Sequence, residues 1–141
     1  MKLRMLALAT MLLLSSGIYA QAVDPKVQQS NIQQTICVSG YTATVRPPVS
    51  YTNKIKLAQL AAIGKKPSDA SMYELDHVVP LEVGGSPKDP TNLKLQLWDG
   101  TTGAHAKDVV ENRMHKYVCN GKITLAAAQY CMSNDWTKCP K

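Results

Sequence analysis

The chain has 141 residues, a formal net charge of +6, four cysteines and no phenylalanine. That length points to one domain rather than several, and so mild a basic excess permits a polyanionic partner without demanding one. The cysteines show no C-x-x-C spacing, which argues against a zinc–thiolate site.

The chain opens on a basic "MKLR", an apolar "MLALATMLLL" and a small-x-small "AQA" ending at Ala22. These are the parts of a secretory signal peptide, expected to span 1–22. The apolar run is shorter than the roughly 20 residues a membrane span needs. Removal takes Lys2 and Arg4 away, so the net charge falls from +6 to about +4. The expected compartment is periplasmic or secreted. There an even number of cysteines, Cys37, Cys119, Cys131 and Cys139, favours two disulfides. Four cysteines allow three pairings. The expected one joins Cys37 to Cys119, tying the N-terminal segment to the end of a helix, and Cys131 to Cys139, closing a short loop.

Residues 23–35 are polar and glutamine-rich and are expected to be a flexible lead-in to a domain over 36–141. "TICVSGYTATVRPPV" has β-branched residues around a glycine and ends in paired prolines, which reads as an extended segment with a turn. "YTNKIKLAQLAAIG" reads as a helix capped by Thr52 or Asn53, with Ile55, Ala58 and Ala62 on one face and Gly64 as its stop. "KKPSDAS" is a loop. A strand is expected over 73–79, a loop at "GGSPKDPTN", and a second strand over 93–98, where apolar and polar residues alternate. After the turn "DGTTG", a helix is expected over 104–118 with Gly121 just beyond it, and Thr124 caps a last helix, "LAAAQYCMSNDW". There are no internal repeats. Trp98, Trp136, Tyr117 and Tyr130 are expected in the core or on its rim, since tryptophan and tyrosine supply all the aromatic packing.

The chemistry-bearing stretch is "YELDHVVPLEVGG", which places Glu74, Asp76 and His77 at the end of a strand. An imidazole is a suitable general base because its unperturbed pKa is about 6.5. A neighbouring carboxylate is the hard ligand that a divalent ion requires. In a regular strand, Asp76 and His77 would point to opposite faces. They share one site only if the strand ends or bends there, and Pro80 with Gly84–Gly85 makes an irregular ending plausible.

"LDHVVPLEVGG", then "TNL", then the helix around "GAHAKDVVEN", resembles the ββα-metal core of the HNH endonuclease family. The flanking "CVSGYTATVRPP" and "VCNGKITLAAAQ" resemble segments of its secreted bacterial members, so the likeness covers most of the chain after the signal peptide. The resemblance implies an α+β fold: a small ββα-metal core, made of a two-stranded hairpin plus a helix, with flanking helices, disulfide-stapled. It implies hydrolysis of nucleic acid phosphodiester bonds with a 5′-phosphate product. His77 would be the general base, Asp76 a ligand of one divalent ion, and Asn92 the residue that bonds across the loop and orients His77. The ion would be Mg²⁺ or Mn²⁺, with Zn²⁺ or Ni²⁺ as alternatives. The family's commoner spacing would put the helix ligand on Thr101, a poor donor, and the first good donor is His105. His105, Asp108, Asn112 and His115 share one helix face. Asp108 or Asn112 could therefore replace His105, and Glu74 could support the ion from behind. Lys107 and Arg113, with Lys116 nearby, are candidate phosphate clamps, and Arg46 could reach the site. The expected substrate is DNA, with RNA as a second possibility, acted on by a monomer with weak sequence preference. The alternative is a non-catalytic, disulfide-stapled envelope or polyanion-binding protein on the same scaffold.

Overall fold

Two five-residue strands with alternating sides, β1 (Tyr73–His77) and β2 (Leu93–Leu97), pair antiparallel, with Asp76 opposite Lys94 and His77 opposite Leu93. The fold is known from a computed structural model that describes residues 22–141. Apart from Ala22, the expected signal peptide lies outside the described residues. Among the described residues, four α-helices surround the hairpin: α1 (Tyr41–Val45), α2 (Val49–Ala62), α3 (Ala104–Cys119) and α4 (Leu125–Asp135). This is an α+β fold, a hairpin plus a helix with flanking helices. Both disulfides join the expected partners, Cys37 with Cys119 and Cys131 with Cys139. Chain-entropy arguments assign roughly 4–5 kcal/mol to the first, which closes 82 residues, and roughly 2–3 kcal/mol to the second, which closes 8. Among the described residues no helix is long and apolar enough to cross a membrane.

α3 carries the core. Its buried stripe is Ala104, Lys107, Val110, Met114 and Val118, spaced at three and four. The last three pack with Val79 and Val83 from the inter-strand loop and with Leu125, Ala128 and Met132 of α4. Thr124 caps α4 as expected, accepting from Ala127 N. Tyr117 and Trp136 pack partly buried against this core, whereas Tyr130 is exposed.

Three expectations are corrected. Residues 23–35 are no flexible lead-in. Val27 and Ile32 are buried in the core, Asp24 N donates to Gly84 O at 2.8 Å, and Leu125 N donates to the Gln29 side chain at 2.7 Å. Two apolar residues in a polar run are enough to anchor it. The extended segment before the prolines contains α1, entered through Gly40 at φ 80° and closed by Arg46 N donating to Thr42 O. Local hydrogen bonding there overrides the β-branched preference. α2 begins at Val49, ahead of Thr52 and Asn53. Pro48 supplies the non-helical entry, and the Thr52 hydroxyl bonds back to Val49 O inside the helix.

α2 also secures the hairpin. The Gln59 amide donates to Leu93 O at 2.8 Å and accepts from Leu95 N at 2.7 Å. It therefore satisfies the open edge of β2 much as another strand would.

Candidate active site

β1 stops at His77, two residues earlier than expected, and the Asn92 side chain is the reason. Val78 N still reaches Asn92 O at 2.8 Å. At Val79 the Asn92 side chain replaces a strand partner, its Oδ1 accepting from Val79 N at 2.8 Å and its Nδ2 donating to Val79 O at 3.0 Å. Nδ2 also donates to Ser86 O at 2.9 Å, so one fully buried amide closes both ends of the loop. The paired glycine follows from this. A Cβ on Gly85 would run into the Val79 carbonyl, and Gly84 stands at φ 77°, a left-handed conformation.

Within this loop His77 is buried, and its ring Nε2 lies 3.1 Å from Pro87 O. A carbonyl can only accept, so Nε2 carries the proton and Nδ1 keeps its lone pair. Burial lowers the His77 pKa below 6.5, and it outweighs the opposing pull of the Pro87 bond and Asp76. The ring is neutral at pH 7 and able to take a proton at Nδ1.

Because the strand ends here, Asp76 and His77 line one cleft of about 260 Å³ despite their opposite parity. Glu74, Glu82, Asp108, Glu111, Asn112 and Arg46 complete its polar wall. Crowded acid groups raise one another's pKa. Burial, then Asp76 and Asp108, push the Glu74 carboxyl up to about 7. Burial likewise raises Glu82, whose Oε2 is enclosed without a hydrogen-bond partner.

Lys107 lies beneath the cleft. Its ammonium donates to Asp76 Oδ2 at 2.7 Å, to His77 O at 2.7 Å, and to Glu111 Oε1 one helical turn on. The lysine side chain is 4% exposed, and Asp76 and Glu111 are each 13% exposed. The other oxygen of Asp76 accepts from His77 N at 2.7 Å. Burial works against the ammonium charge, but Glu111 and Asp76 outweigh it and the Lys107 pKa is raised. One cation serving two acids leaves one under-compensated. That one is Glu111, whose pKa burial drives up.

The expected helix face is only partly assembled. Asp108 and Asn112 line the cleft, but His115 turns away, its Nε2 donating to Ile36 O at 2.8 Å. His105 is 63% exposed, with Nδ1 3.1 Å from Asp99 Oδ1 and its ring beside Trp98. Asp76 and His105 are therefore not brought together as a ligand pair. Among the described residues no group of three or more His, Cys, Asp or Glu side chains is arranged to hold a metal ion. His105 stands outside the cleft that Asp76 lines, whereas the alternative ligands Asp108 and Asn112 stand on its wall. Nor does Lys107 clamp phosphate, since its three donors are engaged inside the protein. Arg113 is absent from the cleft wall, and its Nε is buried without a partner.

Lys107 as a buried cation, Glu111 and Glu82 are the site residues that sequence reasoning missed. A signal existed for the first two: a lysine standing on the apolar stripe of α3, with an acid four residues on. No family model matches the chain, and neither curated proteins nor solved structures provide a match.

Proposed function

We propose that the protein is an exported endonuclease of the HNH type that hydrolyses phosphodiester bonds of DNA, with RNA as a second substrate. The observation that carries this reading is the geometry of His77. A neutral imidazole is held by Pro87 O at Nε2, leaving Nδ1 free on a polar cleft, in a loop closed by a buried asparagine. In this reading Nδ1 takes a proton from water and the water oxygen attacks phosphorus. The bond to the 3′-oxygen breaks and that oxygen takes up a proton from solvent, leaving a 5′-phosphate and a 3′-hydroxyl, while His77 returns its proton to solvent. The divalent ion implied by the resemblance enters no step here: both oxygens of Asp76 are already engaged, by His77 N and the Lys107 ammonium, and His105 stands outside the cleft.

The test is plasmid nicking by the full chain with Mg²⁺ or Mn²⁺ and with chelator, beside His77→Ala. Loss of a general base lowers the rate by about 10²–10⁴-fold, while the circular dichroism of the variant should match the parent. A variant that nicks at the parental rate ends the assignment of His77. The outward-facing His105 favours the second reading, a non-catalytic polyanion-binding protein. Plasmid that is bound and never cut, under every metal condition, would select it.

A further inference from the structure

The strand end and α3 meet around a charge already present in the chain. An ammonium group has three N–H donors and no more. Those of Lys107 are all matched, by Asp76 Oδ2, His77 O and Glu111 Oε1, in a side chain that is 4% exposed. Three acceptors converging from a strand terminus and a helix are the arrangement a small cation requires. The acceptors are oxygens, as a hard divalent ion would also demand. Both oxygens of Asp76 are engaged, one by the ammonium and one by His77 N. A divalent ion on Asp76 would have to displace Lys107 or stand a few ångströms from a buried like charge.

We propose that Lys107 is the resident cation of the Asp76–Glu111 pair and takes the place of a divalent ion there, so that Asp76 binds an ammonium and not a metal. Cleavage at His77 then needs no ion on Asp76. Only that consequence rests on the nuclease reading. The identity of the cation is tested without nucleic acid.

The experiment follows Mn²⁺ binding to the full chain through loss of the free-ion electron paramagnetic resonance signal. It compares the parent with Asp76→Asn, Lys107→Met and the double variant. Asp76→Asn should leave the parental affinity within about twofold, whereas removal of a true metal ligand or its support costs about 10–100-fold. Lys107→Met leaves Asp76 and Glu111 facing each other without a cation. It should gain a Mn²⁺ site at least about tenfold tighter, which the double variant loses. A tenfold loss in Asp76→Asn overturns the proposal, as does a folded Lys107→Met that gains no site. Circular dichroism with and without Mn²⁺ checks the fold of Lys107→Met. If it folds in neither condition, the parent and Asp76→Asn decide between them. The expected Mn²⁺ result from a chain that cuts no nucleic acid would leave the cation assignment standing and end the nuclease reading.

Discussion

The end of β1 and the first turn of α3 each set a histidine close to an aspartate, and the outcomes are opposite. His77 is buried with its ring bonded to the main chain, while His105 faces solvent beside Asp99 and Trp98. In the loop, backbone groups shut away from water must find partners, and Asn92 supplies them to Val79 and Ser86. That requirement leaves the loop, and the ring of His77 with it, little freedom. The first turn of α3 carries no such obligation for its side chains. Helical phase alone directs each residue, and the apolar stripe turns Lys107 inward and His105 outward.

If this contrast is right, mutations in the two regions should differ by several kcal/mol. Asn92→Ala strips Val79 of both main-chain partners in a dry site and should cost roughly 3–5 kcal/mol in denaturant unfolding. A loss below about 1 kcal/mol would show that water replaces the amide and that the loop is not closed by it. A smaller effect lies between the two regions, at Glu74. Its folded-state pKa, raised from 4.5 to about 7, lies above its unfolded value. The stability it contributes is therefore fully present below about pH 4.5 and lost as pH rises through about 7. Between pH 5 and pH 8 the parent should lose about 1 kcal/mol relative to Glu74→Gln, a discounted figure because the group is half-exposed and screened. His77, with a lowered pKa, acts in the opposite direction below about pH 6.5 in both proteins, so the comparison isolates Glu74. Parallel stability curves would show that neither burial nor the neighbouring carboxylates raise the Glu74 pKa. The smallest effect is expected in the first turn of α3. His105→Ala should change stability by no more than about 0.5 kcal/mol and leave Mn²⁺ binding unchanged. A marked loss of ion binding there would erase the distinction between the two histidines.

Much of this was readable in the residues. The hairpin followed from alternation in "LKLQL" and from the turn formers of "GGSPKDPTN", α3 from a helical stretch with Gly121 beyond it, and α4 from its Thr124 cap. Asp76, His77 and Asn92 were legible as a group through the resemblance carried by "LDHVVPLEVGG" and "TNL"; that strand end, glycine pair and loop asparagine depend on one another emerged from the Asn92 bonds. The partner of Asp76 was not legible. A lysine in a helix is normally solvated, and the signal that sets Lys107 apart from Lys116, its place on the apolar stripe of α3 with Glu111 four residues on, does not say which acid it meets across the fold. The anchoring of residues 23–35 was hidden for a similar reason: Val27 and Ile32 show their value only once α4 and the loop have formed a surface to receive them.

The sequence by itself determined the hairpin, the two later helices and that the strand before the glycine pair ends irregularly. Alternation, helical period, glycine conformation and cysteine number are local or combinatorial properties, and they need no knowledge of distant neighbours. Only the tertiary structure decided which charge faces Asp76. That choice depends on the angular phase of α3 against the hairpin, set by burying Val110, Met114 and Val118. In that phase an ammonium 31 residues along the chain stands under the carboxylate, and a histidine two residues earlier turns to water.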